Sequence, residues 1–329
     1  MNLPTSFRGK EWCIVGQFLV IVILAIALFF WRKDGFSCAS QKTYTHLNPR
    51  VVCQVADEEE RDRITLLEER VKKIITEKKN IKEIDEASVF FRDLGSLRWF
   101  SVNPHENYSP GSTLKLPILV AYLKMSEAEP KVLDQEFVYK SEGENLNDLE
   151  YFRPSVEVQA GNRYSVRELL RRMMVYSDNE TTVPLLNTIG DEYLSKVLRD
   201  LGVYFPTTAG SETEFLSAPM YGAIFRTLYN ASYLSRENSE FALRLMEEAE
   251  FSRGLVAGAD PESRVSHKFG ERTIKLSDGT LYRQLHDCGI VYKKDPNKAY
   301  IICVMTKGND FTKLATTIKE ISQLVYREE

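Results

Sequence analysis

The stretch that decides the fold reads Ser109-Pro110-Gly111-Ser112-Thr113-Leu114-Lys115-Leu116-Pro117. Its proline and glycine interrupt the preceding segment, and an apolar run follows at 118–123, so a helix is predicted to begin near Ser112. Lys115 follows three residues later, and residues i and i+3 share one face of a helix, so its amine can reach the Ser112 hydroxyl. A serine becomes nucleophilic when a neighbour takes its proton, and lysine does this when burial or a nearby cation lowers its pKa. A Ser-x-x-Lys pattern is common, so its meaning depends on the rest of the chain.

The composition is that of a globular protein and excludes several function classes. Hydrophobic residues make up 43% and charged residues 27% of 329 residues, a balance typical of globular chains. The net charge of −4 gives no sign of a general nucleic-acid surface. The sequence has no zinc-ligand spacing and no Gly-rich phosphate loop. We therefore expect no metal, no cofactor and no nucleic-acid partner.

The N-terminal segment is predicted to be a transmembrane anchor. No residue from Trp12 to Trp31 is charged, and roughly 20 apolar residues span a bilayer as a helix. Tryptophan stands at both ends, where aromatic belts lie. The predicted organisation is a cytoplasmic tail, the anchor, a juxtamembrane linker and one large domain, at 1–11, 12–31, 32–59 and 60–329.

A cleaved signal peptide is the alternative, with a small-x-small site at Ser37-Cys38-Ala39. The apolar run is longer than a usual signal-peptide core, and charged residues 32–34 intervene before that site. An uncleaved single-pass anchor is therefore preferred. Two basic residues flank it on each side, so the positive-inside rule hardly discriminates. We expect the N-terminus in the cytoplasm and the large domain outside.

Hydrophobic periodicity predicts an α+β fold. Residues 64–75 carry one helical apolar stripe, interpreted as a helix packed on a sheet, with a short coiled coil as the alternative. Helices are predicted between residues 112 and 249. Strands are predicted at both ends of the domain, at 87–102, 265–270, 283–292 and 299–306. A last helix is predicted at 311–326. The expected architecture is an antiparallel sheet built from both termini of the domain plus a helical subdomain.

Five cysteines are present. Cys38 and Cys53 follow the anchor and could form a disulfide if that side of the membrane is oxidising. Cys288 and Cys303 fall on neighbouring predicted strands, and we expect them to lie diagonally and to remain reduced in the core.

Two further motifs follow Ser112-x-x-Lys115 in a fixed order. They are Ser177-Asp178-Asn179, between two predicted helices, and Lys268-Phe269-Gly270, on a predicted strand. With this order and spacing the chain resembles the superfamily of β-lactamases and penicillin-binding proteins, which carries S-x-x-K, S-D-N and K-T-G motifs. It is most similar to the class A β-lactamase-type serine hydrolases, from about residue 60 to the C-terminus. The resemblance implies that family's α+β fold and acyl transfer.

The resemblance assigns proton-transfer roles. Ser112 is expected to attack the substrate carbonyl and form an acyl-enzyme. Lys115 is the candidate base, and the nearby Lys268 is expected to hold its pKa down by like charge. Ser177 is expected to relay a proton to the leaving nitrogen. Asp178 is expected to brace the loop rather than take part in chemistry.

The remaining residues are expected to bind substrate. Asn179 can hydrogen-bond the substrate amide or Lys115, and Lys268 suits a substrate carboxylate. Gly270 is expected to let the substrate backbone approach the strand closely. The resemblance implies an oxyanion hole formed by the backbone N–H groups of Ser112 and Glu271.

The sequence departs from the family pattern at two places. Phe269 replaces a hydroxyl residue that helps bind the substrate carboxylate, and it would narrow the cleft if it pointed inward. Class A β-lactamases also carry a Glu-x-x-x-Asn element, whose glutamate activates the deacylating water. Glu212 and Glu214 are the candidates here, although Leu216 and Ala218 stand where an asparagine is needed.

The predicted function is that of a membrane-anchored serine hydrolase with a monomeric catalytic domain. Its expected substrates are β-lactams or cell-wall peptides of the D-Ala-D-Ala type. Two alternatives stay open: a D,D-peptidase or penicillin-binding protein that deacylates slowly, and a non-catalytic sensor domain that binds β-lactams or peptidoglycan. The missing Glu-x-x-x-Asn element favours the first alternative or a long-lived acyl-enzyme, and the presence of all the motif residues together speaks against the second.

Overall fold

The computed structural model describes residues 58–95, 98–141, 143–204, 214–275, 278–295 and 298–329. The predicted tail, the anchor at 12–31 and most of the linker lie outside the described residues, together with Cys38 and Cys53. Within the described part of the chain, no helix has the length and apolarity needed to cross a bilayer.

Five strands form one antiparallel sheet in the order β2-β1-β7-β6-β5. Their bounds are Glu86–Asp93 (β1), Trp99–Val102 (β2), Arg264–Lys275 (β5), Leu281–Tyr292 (β6) and Ala299–Gly308 (β7). A separate pair of short strands consists of Glu136–Val138 (β3) and Arg163–Ser165 (β4).

Nine α-helices lie in the described residues. They are Glu58–Asn80 (α1), Lys115–Ala128 (α2), Val166–Val175 (α3), Thr182–Ile189 (α4), Asp191–Asp200 (α5), Ala218–Tyr229 (α6), Arg236–Glu247 (α7), Leu255–Gly258 (α8) and Phe311–Glu328 (α9). Three 3₁₀ turns cover Gly111–Leu114, Pro130–Asp134 and Leu146–Leu149.

The prediction that both termini of the domain build the sheet is confirmed. β1 comes from the N-terminal side, and its Val89 lies opposite Val102 of β2 and Val304 of β7. As the last strand in the order of the sheet, β5 forms one of its edges. This edge faces the segment that carries Ser112.

The sheet separates two apolar cores. On one face, the stripe of α1 is buried together with residues of α9, with Leu67 and Val71 at most 1% exposed. This confirms the interpretation of a helix packed on the sheet. On the other face, α2, α3, α6 and α7 bury their apolar residues in a second cluster, in which Leu119 and Phe225 have no exposed surface.

The prediction for Cys288 and Cys303 is wrong. The antiparallel pairing of β6 with β7 puts the two residues directly opposite each other, with 3.9 Å between their Cα atoms, and they form a disulfide. The sequence located both strands but not their register, and a shift in register separates a facing pair from a diagonal pair.

Candidate active site

Ser112 lies on the 3₁₀ turn Gly111–Leu114, which runs directly into α2. Gly111 has a φ of +49°, and a Cβ atom added there would lie 2.3 Å from the carbonyl oxygen of Glu271. Only glycine combines that backbone conformation with so close an approach. The turn that carries Ser112 is thus pressed against strand β5.

Gly270 makes room for the same contact. A Cβ atom at this position would lie 2.8 Å from both the Pro110 oxygen and the Thr113 nitrogen. The sequence predicts that the substrate backbone approaches the strand at Gly270, but the turn that carries Ser112 fills this space. The N–H groups of Ser112 and Glu271 belong to these two packed segments, and their role as an oxyanion hole stays a prediction.

Lys115 is buried at the start of α2, with 3% of its surface exposed. Its Nζ donates hydrogen bonds to the Ser177 carbonyl oxygen at 2.6 Å, to Ser177 Oγ at 3.2 Å and to Asn179 Oδ1 at 2.6 Å. The motif Ser177-Asp178-Asn179 therefore meets the first motif at the Lys115 amine.

Burial lowers the pKa of Lys115 to about 7, although Glu150, Asp178 and Glu271 act in the opposite direction. A lysine in this range is neutral in a large fraction of molecules near pH 7 and can accept a proton. From the sequence, the positive charge of Lys268 is expected to lower the pKa of Lys115. The dominant cause is instead loss of hydration in the protein interior.

Lys268 reaches the same serine from β5. Its Nζ donates to Ser177 Oγ at 2.8 Å, and only 1% of the residue is exposed. Burial, and secondarily the charge of Lys115, holds the pKa of Lys268 well below its usual value. Ser177 itself has a φ of +60°, a strained conformation for a non-glycine residue that often marks a functional site.

Asp178 braces the loop, as predicted. Its buried carboxylate accepts hydrogen bonds from Asn147 Nδ2 at 2.8 Å and from the backbone N–H groups of Val158 and Glu180 at 3.0 Å. Asn147 also accepts the backbone N–H of Asn179 at 2.8 Å. Sequence reasoning missed Asn147, because the segment around it has no periodic pattern.

A cavity of about 920 Å³ opens beside Ser112. Its polar lining includes Ser112, Lys115, Asn179, Glu150 and Glu271, and its apolar lining includes several leucines of the helical subdomain. Ser177 and Lys268 do not line it and are nearly buried. In the described part of the chain, no three His, Cys, Asp or Glu side chains are grouped to hold a metal ion.

The sequence model of the β-lactamase enzyme family matches residues 66–328. The chain belongs to the β-lactamase enzyme family. The match covers the whole sheet and the helical subdomain, and it confirms the resemblance that the three motifs carry.

Solved structures support the β-lactamase fold. PBP-A aligns with a TM-score of 0.64 at 20% identity, over 80% of this chain and 96% of that chain. A β-lactamase from Chitinophaga pinensis DSM 2588 aligns with a TM-score of 0.66 at 19% identity, over 79% and 98%. The TLA-1 extended-spectrum β-lactamase aligns with a TM-score of 0.65 at 18% identity, over 79% and 98%.

In this member of the β-lactamase family, a segment that we call the strap, residues 145–153, lies against β5. Glu271 accepts hydrogen bonds from the backbone N–H groups of Tyr151 at 3.1 Å and Phe152 at 2.8 Å. Glu150 Oε1 accepts a hydrogen bond from Asn179 Nδ2 at 2.8 Å. Burial and the neighbouring Glu150 raise the pKa of Glu271 to about 8. Sequence reasoning used only the backbone of Glu271 and missed both side chains.

Phe269 does not line the cavity beside Ser112. Its ring stacks on Phe251, with 4.2 Å between centroids, and meets the edge of Phe152 at 6.1 Å. The residue that replaces the family's hydroxyl thus belongs to an aromatic cluster that also holds the strap. Lys268 Nζ lies 4.5 Å from the centroid of the Phe269 ring.

The structure gives Glu214 a different role from the one considered for deacylation. Its carboxylate pairs with Lys307 Nζ at 2.8 Å and accepts a hydrogen bond from Gln284. Gln284 in turn accepts the backbone N–H of Ser109 at 2.9 Å. Glu214 therefore supports the segment before Ser112. Glu212 lies outside the described residues.

Proposed function

We propose that the chain is a serine hydrolase that attacks amide carbonyls through an acyl-enzyme on Ser112, with β-lactams or D-Ala-D-Ala-type cell-wall peptides as substrates. Membership of the β-lactamase family supports a serine hydrolase of this type. The observation that carries the assignment to these residues is the buried Lys115, with a pKa of about 7, three residues from Ser112 and hydrogen-bonded to Ser177. Such a lysine is a competent base near neutral pH.

The proposed reaction begins when neutral Lys115 takes the proton of Ser112 Oγ. The oxygen then attacks the substrate carbonyl, and the N–H groups of Ser112 and Glu271 stabilise the negative oxygen. Ser177, which is hydrogen-bonded to both Lys115 and Lys268, passes its hydroxyl proton to the leaving nitrogen and receives in exchange the proton that Lys115 took from Ser112. The C–N bond breaks and leaves the acyl group as an ester on Ser112.

Slow removal of the acyl group is the second candidate, which corresponds to a D,D-peptidase or penicillin-binding protein. The ion pair of Glu214 with Lys307 supports it, because a carboxylate held there is not free to activate water. One of the solved structures of PBP-A is an acyl-enzyme complex with penicillin G.

Intact mass spectrometry over time tests both candidates. We expect the full-length chain to gain one covalent adduct from penicillin G and one from a fluorophosphonate, which labels nucleophilic serines and carries no carboxylate. Ser112→Ala should form neither adduct, whereas Ser155→Ala, a change at an exposed position, should form both. A chain that reacts with neither reagent would refute the proposal. An adduct that disappears as product accumulates indicates a β-lactamase, and a persistent adduct indicates slow deacylation or a sensor.

We also propose that residues 12–31 anchor the chain in the cell membrane with the hydrolase domain outside. The Cys288–Cys303 disulfide supports this orientation, because disulfides persist in oxidising compartments. The full chain should remain in the membrane fraction after a carbonate wash, and a variant that lacks residues 1–31 should be released. Release of the full chain by that wash would contradict the anchor.

A further inference from the structure

We propose that the cleft selects acyl donors whose leaving group carries no negative charge, because Glu150 and Glu271 occupy its leaving-group side. We call these two residues the carboxyl pair. This inference rests on the proposed function and narrows its substrate class. A β-lactam and a D-Ala-D-Ala peptide both carry a carboxylate on the leaving-group side, so the proposal predicts that their neutral analogues react faster.

The leaving-group side of the cleft is the side of Ser177, the proposed proton relay. Glu150 lies there, because its Oε1 accepts the hydrogen bond of Asn179 Nδ2, two residues from Ser177. Glu271 approaches from β5, three residues beyond Lys268. Both carboxyl groups line the cavity that contains Ser112.

Two backbone donors that could hold an anion at this place are already engaged. The backbone N–H groups of Tyr151 and Phe152 bond the Glu271 carboxylate. The hydroxyl residue of the family motif is replaced by Phe269, whose ring is packed on Phe251. The protein's own carboxylate therefore takes hydrogen bonds that a substrate carboxylate would otherwise accept.

The nearby lysines provide little compensating positive charge. Lys268 is 1% exposed, and its Nζ is bonded to Ser177 Oγ. Lys115 is 3% exposed and must be neutral to act as a base. Burial lowers the pKa of both amines, so each amine loses its positive charge at a lower pH than an exposed lysine does. An exposed cation, Arg272, also lines the cavity, one residue past Glu271.

The negative charge of Glu271 depends on pH in the working range. Burial and the neighbouring Glu150 raise the pKa of Glu271 to about 8, so this carboxyl group becomes negatively charged between about pH 7 and pH 9. The charged or titratable groups around the pair are Lys115 of α2 and Lys268 of β5, which interact with both carboxyl groups, Arg272 of β5, which lines the same cavity, and Tyr151 of the strap, whose backbone bonds Glu271.

Penicillin G and its methyl ester form a matched pair of probes, since they differ only in whether one carboxyl group on the leaving-group side is free and charged or methylated and neutral. We expect the full-length chain to be acylated by the ester at least about tenfold faster than by the free acid, as repulsion from one nearby charge in a partly buried site allows. The measurement is the second-order rate of adduct formation by intact mass. Equal rates, or a faster free acid, would overturn the inference.

The variant Glu150→Gln/Glu271→Gln removes the charge and keeps the shape of both side chains. We expect its ester-to-acid rate ratio to fall to within about threefold of one. Glu262→Gln removes a carboxylate that pairs with Lys294 at a mostly exposed position and should keep the wild-type ratio. A ratio that stays high in the double variant would show that another group causes the discrimination.

A pH series on the unmodified chain tests the inference if the double variant does not fold. The ester-to-acid ratio should rise between about pH 7 and pH 9, as Glu271 loses its proton. Lys115 and Lys268 also lose positive charge as the pH rises, which slows the free acid alone, so the rise caused by the carboxyl pair is the part that Glu271→Gln abolishes. A ratio independent of pH contradicts the inference. If the fluorophosphonate labels Ser112 but the two probes react equally, the proposed function stands and only the inference fails; if no reagent labels Ser112, the proposed function fails as well.

Discussion

Lys115 and Lys268 owe their chemistry to burial. Each amine is packed where water cannot hydrate an ammonium ion, and each is held by hydrogen bonds to Ser177. Desolvation outweighs the attraction of the carboxylates around Lys115, because its pKa falls to about 7 despite three nearby acidic groups. The burial that makes Lys115 a base therefore also lowers the free energy of unfolding.

Acylation should depend on pH through Lys115. The protonated amine cannot accept the Ser112 proton, so the acylation rate should rise with pH, with a midpoint near pH 7, and level off above it. Lys115→Met should lower the rate by about 10²–10⁴-fold. Lys124→Met, at a half-buried position of the same helix that does not line the cavity, should keep the wild-type profile. Adduct formation with penicillin G methyl ester measures both effects, and a rate that is flat from about pH 6 to pH 8 would contradict the role of Lys115.

Gly111 tests the contact between the Ser112 turn and β5. Gly111→Ala places a Cβ atom 2.3 Å from the Glu271 oxygen at a positive φ, and we expect a loss of about 3 kcal/mol in the free energy of unfolding. Gly161→Ala is the matched control, because its φ is +87° but no atom lies within 4 Å of the added Cβ. It should lose only about 1 kcal/mol. Urea denaturation measures both, and equal losses would show that the close approach does not matter.

At the scale of elements, the strap and strand β5 hold the loop Ser177-Asp178-Asn179 from two sides. The strap holds the loop through Asn147, which bonds Asp178 and Asn179. It is held in turn by the Glu271 carboxylate and by Phe152, whose ring packs between Phe251 and Phe311. A short segment whose regular structure is the 3₁₀ turn Leu146–Leu149 thus connects the motif Ser177-Asp178-Asn179 to strand β5.

The hairpin of β6 and β7 is closed by the Cys288–Cys303 disulfide, across a sequence separation of 15 residues. Restricting a loop of this length in the unfolded chain stabilises a protein by about 3 kcal/mol. Cys288→Ala/Cys303→Ala should lose about that amount in urea denaturation. Reductant should lower the stability of the wild type to the same level and leave the variant unchanged. Alkylation of both residues in denatured, unreduced protein would show that the disulfide is absent.

At the scale of the whole molecule, buried titratable groups give the folding stability an unusual pH dependence. The folded chain holds Lys115 at a pKa of about 7, against an ordinary value of 10.5. Between these values the unfolded chain binds more protons, so the free energy of unfolding rises with pH. Glu271 has the opposite effect: between pH 4.5 and about pH 8 it lowers the free energy of unfolding as the pH rises, because its pKa is raised in the folded chain.

We therefore expect the free energy of unfolding to increase from about pH 8 to pH 10. Lys115→Met should reduce this slope by up to about 1.4 kcal/mol per pH unit. Lys124→Met should leave the slope unchanged. Urea denaturation at a series of pH values measures it, and equal slopes for the wild type and Lys115→Met would contradict a lowered pKa in the folded chain.

Local signals in the sequence predicted most helices and strands. Ser165, for example, caps α3 by accepting the Glu168 N–H at 3.2 Å, as the spacing of these two residues predicts. The stripe of α1 predicted its buried face. These signals arise within a few residues, and local hydrogen bonds and side-chain periodicity determine them. The described ends of β5 and β6 extend beyond the predicted bounds, because pairing between strands continues past the apolar residues.

By itself, the sequence determined the family, the α+β fold, the sheet built from both termini and the three motifs around Ser112, since these depend on residue types and short spacings. Only the tertiary structure decided that Glu271 meets the strap, that Cys288 faces Cys303 and that Gly270 accommodates the Ser112 turn. Each of these depends on strand register or on atoms more than one hundred residues apart in the chain, as between Phe152 and Glu271. Burial is likewise a property of the folded molecule, so the pKa of Lys115 and its cause became visible only there. The Ser-x-x-Lys pattern located the nucleophile, and the interior around it explains how the lysine can act as a base.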